Sequence, residues 1–195
     1  AASDVYKRQL QWAINTESTG TSSTDSATLA ISSSALSSEM DLDKSTGDVA
    51  IVATAKTAND DLKFGGMQVG PFGTCLSTHQ PWVAKVDTNG QVQWTEVGKS
   101  DPTDCMPTHA HQVVLHHDGS VTTAGHVSND VYDYDFGSSS VSANTANEYR
   151  ASSWIAHADS SGNWVWAENV TTKTSYGTYA DHYFTMDKFS DDTLF

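Results

Sequence analysis

Cysteine, cationic side chains and long apolar runs are all scarce in this chain, and each scarcity closes off a class of protein. Two cysteines, Cys75 and Cys105, fit a single disulfide or two free thiols, and neither lies in a CxxC metal pattern. Ten Lys and Arg against 24 Asp and Glu give a formal charge of -14, which argues against nucleic acid as a partner because phosphate binding needs clustered cations. No stretch approaches the roughly 18 apolar residues of a membrane helix, so this sequence contains no membrane span of that kind. Helical periodicity is missing throughout. So are GxSxG, HExxH and a phosphate-cradling glycine loop, which leaves no nucleophile constellation. What is present is 37% hydrophobic residues with six Trp and seven Tyr among 195 residues, enough for the core of one domain or two.

The first nine residues, AASDVYKRQ, have no Met, no apolar run and neither structural period. Read back as GCA GCG TCA GAT GTG TAT AAG AGA CAG, they resemble the adapter left by transposon-based sequencing libraries. Residues 1–9 are therefore expected to be non-native and are set aside in reasoning about the fold. The chain is expected to be a truncated read, so the absence of a signal peptide carries no weight.

Beyond them the sequence repeats. PWVAKVDTNGQVQW ends at Trp94 and SWIAHADSSGNWVW ends at Trp166. Trp82 and Trp154, Asp87 and Asp159, Gly90 and Gly162, and Phe64 and Phe136 all differ by 72. Internal repetition at a fixed period points to an array of supersecondary units. Each unit reads as four strands. In the first they are expected near 38–43, 48–55, 82–87 and 91–97, with TNG as a hairpin turn. In the second they are expected near 110–116, 120–127, 153–159 and 163–169.

Consecutive four-stranded antiparallel units predict an all-β fold, a partial β-propeller of about two and a half blades truncated at both ends. Residues 10–16 would be the last strand of a preceding blade, 38–97 and 110–169 two blades, and 182–195 the start of a following one. The remaining blades of the same chain would be partners. The excess over the ~40–50 residues of common blades falls in two kinds of connection, second to third strand and fourth to next first strand. In a meander both emerge on one face, where a rigid scaffold carries its binding loops.

The segments VATAKTANDDLKFGG…PWVAKVDTNGQVQW and AGHVSNDVYDYDFGS…SWIAHADSSGNWVW resemble the WVAKxDxxGxxxW-type β-propeller repeats of bacterial-type secreted and cell-surface proteins. Leu62-Lys63 before Phe64 departs from the Asp that such repeats prefer. The resemblance implies an extracellular or cell-surface scaffold, non-catalytic, whose loops bind a protein or carbohydrate ligand. The same hairpins also resemble the tryptophan-docking repeat of quinoprotein dehydrogenases. The alternative is accordingly a fragment of a propeller enzyme, a quinoprotein-like dehydrogenase or a hydrolase, with its catalytic residues on other blades. The vicinal cysteine pair typical of those dehydrogenases is absent.

Candidate binding residues on the long-loop face are His79, Asp104, His109, His111, Asp133 and Asp135. His109 and His111 share one side of an extended strand at i, i+2 and could share a Zn²⁺, with His79 or Asp104 as a third ligand. Satisfied polar residues at strand ends are the plainer alternative. NDVYDYDFG, with Asp130, Asp133 and Asp135, and NDD at 59–61 occupy the same slot and could offer oxygen to Ca²⁺, but neither has EF-hand spacing, and solvated acidic loops account for them. No cofactor is required by any motif.

The recurring Trp residues suit inter-blade packing better than a ring of sugar platforms. Asn169 in NVT is a glycosylation acceptor, and the Ser/Thr-rich 16–38 segment suits a flexible or O-glycosylated loop. Cys75 and Cys105 lie in the two long connections of one blade, so a disulfide between them is expected.

Overall fold

A computed structural model describes residues 13–18, 39–56, 62–70, 79–100, 108–127, 133–142 and 152–170. Every regular element among them is a strand. The first unit contains β2 (Glu39–Leu42), β3 (Val49–Lys56), β6 (His79–Val86) and β7 (Val92–Val97), hydrogen-bonded in that order into an antiparallel sheet. The second contains β9 (Thr108–Leu115), β10 (Val121–Val127), β13 (Ser152–Ala158) and β14 (Trp164–Val170), likewise an antiparallel meander. No helix of the described residues is long and apolar enough to cross a membrane.

The expected strands are present with ends shifted by up to three residues: the third strand of the first unit begins at His79 rather than residue 82.

The long connections are more than loops. Within that between β3 and β6, β4 (Leu62–Phe64) and β5 (Met67–Gln68) form a hairpin that β1 (Thr16–Ser18) extends. In the second unit β11 (Asp133–Phe136) and β12 (Ser139–Ser142) do the same, and β8 (Lys99–Ser100), just after β7, pairs with β11. The segment leaving one unit thus becomes an edge of the hairpin inserted in the next. The two kinds of long connection meet, as a meander requires.

Sequence explains these short strands through alternation. Tyr134 and Phe136 are buried while Asp135 is exposed, the period of two that one covered face imposes. The acidic stretch containing Asp133 and Asp135, expected as loop, is therefore strand. Of the end strand expected at 10–16, residues 13–15 are not strand and 10–12 lie outside the described residues; of the Ser/Thr-rich 16–38 segment expected as loop, 16–18 form β1 and the rest lies outside them, as does the piece expected at 182–195.

Equivalent positions behave alike in the two units. The β6–β7 ladder shifts register between Lys85 and Val86, and the β13–β14 ladder shifts between His157 and Ala158, 72 residues on. In the turns, the Asp87 carboxylate accepts from the backbone N–H groups of Asn89 and Gln91, and that of Asp159 accepts from Ser161 and Asn163. An Asp side chain that mimics a backbone turn is the reason D-x-x-G recurs at these hairpins. The rings of Phe64 and Trp82 lie 5.3 Å apart, those of Phe136 and Trp154 4.9 Å.

Trp82 and Trp154 retain 1% and 0% of their exposure. Each such indole removes roughly 150–250 Å² from water, about 4–6 kcal/mol at ~25 cal/mol per Å² before conformational entropy is charged. Trp94 is buried as the sequence suggested, but Trp164 rather than Trp166 is the more covered indole of the second unit. Trp166 lies half-buried, stacked on His157 with ring centres 5.5 Å apart.

The two units pack through specific contacts. Trp94 Nε1 donates to the carbonyl of Ser160 at 3.1 Å. Lys85 Nζ reaches the Gly119 carbonyl at 3.3 Å while paired with Asp48 at 3.5 Å. The open edge of β9 is capped by side chains of the first unit: Val113 N–H donates to Glu39, Leu115 N–H to Asp41 and Ala110 N–H to Thr54 Oγ1. Burial at this seam raises the Glu39 carboxyl above the usual range.

Candidate functional site

The seam also gathers histidines. His109 and His111 project from one face of β9, His126 stands on β10 as the register partner of His109, and His79 opens β6 of the first unit. Ring centres are 5.3 Å apart for His79 and His109, 5.0 Å for His109 and His126, and 4.6 Å for His111 and His126. Four of the eight histidines therefore form one row that runs from the first unit into the second.

Close backbone approach makes room for this row. At Gly125 an added Cβ would lie 2.0 Å from the His109 carbonyl and 2.5 Å from the Trp154 ring, so only glycine lets β10 pass there. The β9–β10 register shifts between Ala124 and Gly125, which brings His126 opposite His109.

The four imidazoles differ in setting. His109 is 8% exposed and its Nδ1 is buried without a hydrogen-bond partner among the described residues. Burial, reinforced by His126, His79 and His111, pulls its pKa down to about 3, so the ring is neutral at physiological pH. His79, His111 and His126 are half-buried. His111 Nε2 and His126 Nδ1 face each other within hydrogen-bond reach, and their planes are inclined by only 10°. Two facing ring nitrogens can share one proton or one Lewis acid but cannot both carry a proton. As the side chains stand, no three His, Cys, Asp or Glu among the described residues enclose a metal ion.

Of the sequence-derived candidates, His79, His109 and His111 come together. Asp135 is exposed on β11 and does not join them. Asp133 begins the same strand. Asp104, Cys75 and Cys105, and with them the expected disulfide, lie outside the described residues, as do Asp130 and the NDD at 59–61. Asn169 is half-buried on β14, paired in register with Trp154.

Sequence reasoning missed His126. Counting outward from the His116–Ser120 turn places residue 126 opposite 109 or 110, but the bulge that selects 109 leaves no mark in the sequence.

A second polar group lies on the opposite end of the same sheet. His116 Nε2 and His157 Nδ1 both contact Thr122 Oγ1, at 2.7 and 3.0 Å. These partners are satisfied by one another, and His117 instead meets Asp43 at 3.5 Å.

Together, the fold and this row define an all-β protein of repeated antiparallel four-stranded units with a histidine cluster at their seam. No protein-family model matches the chain, and no curated protein matches it.

Proposed function

We propose that the chain is part of an extracellular β-propeller whose units form a non-catalytic scaffold, presenting the β4–β5 and β11–β12 side for protein or glycan binding. The observation that carries this reading is the seam itself. Trp94 of the first unit seats on the D-x-x-G hairpin of the second, and Trp166 occupies the same sequence position 72 residues later. A unit that docks its last strand on the next unit's hairpin can be extended in either direction, which is how blades succeed one another. Gly65 N–H donating to the Asn15 carbonyl supports the same reading on the other side, since residue 15 stands where a preceding unit's last strand would end. The resemblance of the repeats to secreted propeller repeats supports the compartment.

Two experiments test this. The full-length transcript should encode a signal peptide and enough further units to close a ring of roughly four to eight blades. The complete protein should bind selectively on a glycan array or to a surface partner and show no quinone absorbance. A quinone spectrum or an attached catalytic domain would replace the scaffold reading with the enzyme alternative. Peptide mapping without reductant should find Cys75 joined to Cys105; two free thiols in protein secreted by its own host would remove the support that the disulfide gives the extracellular assignment.

A further inference from the structure

We propose that the histidine row is a binding site for a divalent transition-metal ion of the Zn²⁺ class, with His111 and His126 as the anchoring pair and His109 as the third ligand. The donor set selects the metal. Imidazole nitrogen suits Zn²⁺, Cu²⁺ and Ni²⁺, while the row contains no carboxylate of the kind that Ca²⁺ or Mg²⁺ demands.

Spacing fits a shared ion. With a metal–nitrogen bond of about 2.0–2.1 Å, two imidazoles at the tetrahedral angle place their ring centres roughly 5 Å apart. The observed 5.0 Å for His109 and His126 matches that separation, and the 4.6 Å for His111 and His126 falls just short of it. His111 Nε2 and His126 Nδ1 already aim at one another, so an ion between them requires the rings to part slightly rather than to turn round. Both are half-buried.

His109 supplies an independent reason. Its Nδ1 is buried with no hydrogen-bond partner among the described residues, a costly state for a polar atom. The three side chains do not enclose an ion as they stand, so the metal closes the site by rotating His109 toward the facing pair. Because His111 and His126 remain partly open to solvent, water completes the coordination. His79, 5.3 Å from His109 and on the neighbouring unit, is the next group along, so a bound ion would also tighten the seam.

The test uses the whole chain, with Zn²⁺ in calorimetry and Co²⁺ in visible absorption. One ion per chain should bind with a micromolar or tighter Kd, and Co²⁺ should develop the bands of a four- or five-coordinate nitrogen site. His111→Gln with His126→Gln should weaken binding by more than about tenfold, because even changes behind the ligands cost that much. His116→Gln with His117→Gln should leave it unchanged. Imidazole NMR of the unmodified chain provides a readout that does not depend on a variant folding. Zn²⁺ should shift the rings of His109, His111 and His126 and leave His116, His117 and His157 in place. No saturable binding, equal affinity in the His111/His126 variant, or ring shifts confined to the second histidine group would each overturn the assignment. None of these results depends on which ligand the scaffold binds, so they stand apart from the proposal above.

Discussion

Trp94 crosses the seam between the two units: its indole N–H donates to the Ser160 carbonyl at 3.1 Å, and its ring covers Gly162, where an added Cβ would lie 2.8 Å from ring carbons. Gly162 also has φ of +91°. Gly162→Ala therefore combines overpacking with a strained backbone and should destabilise the chain by about 2–4 kcal/mol. Gly66 shares the positive φ, at +81°, but faces open space, so Gly66→Ala should cost only about 1 kcal/mol. Denaturant midpoints of the two variants check this, and equal losses would mean that the Trp94 contact contributes nothing.

Phe136 and Phe64 hold equivalent places in the two inserted hairpins, yet their surroundings differ. Phe136 meets Trp154, Trp164 and Tyr134 at ring-centre distances of 4.9, 5.0 and 5.9 Å. Phe64 meets Trp82 at 5.3 Å, with Val92 where the second unit has Trp164. Phe136→Ala should thus cost about 4–5 kcal/mol and Phe64→Ala about 3 kcal/mol. Thermal unfolding of both variants measures the order, and a larger loss at Phe64 would contradict the packing described.

Asp43 turns the first hairpin by accepting from the backbone N–H and the hydroxyl of Ser45, both at 2.8 Å, and these bonds pull its pKa from 3.8 to about 2, with His117 adding a smaller pull. A carboxyl depressed in the folded chain adds stability that is fully present above its unfolded value of 3.8 and is lost as pH falls through about 2. Carboxyl carbon NMR should follow Asp43 to a midpoint near 2, and Ser45→Ala should move that midpoint upward. A titration unaffected by Ser45→Ala would refute the turn's role.

The four-strand plan of each unit was legible because Trp, Asp and Gly recur every 72 residues and D-x-x-G fixes its hairpins locally. The inserted three-stranded sheets were less legible. Strands as short as Lys99–Ser100 carry no period of their own and exist because a neighbouring hairpin offers them an edge. Three of the four histidines of the row were candidates from the sequence: His109 and His111 through i, i+2 spacing, and His79 as a third ligand on the long-loop face. His126 was not, because it reaches the site through a bulge, and the choice of His79 over Asp104 rests on the packing of one unit on the other. Trp166 was expected in the core with Trp94 but lies half-buried, whereas Trp164 is covered within its own unit by Phe136 and Gly137.

Whether the units succeed one another through the same docking contact is decided by a crystal structure of a chain extended through a further repeat. In it Trp166 Nε1 should donate at about 3 Å to the carbonyl two residues before the following unit's turn glycine, reproducing the 3.1 Å bond from Trp94 to Ser160. A Trp166 indole left in solvent, or packed anywhere other than on that hairpin, would contradict that succession.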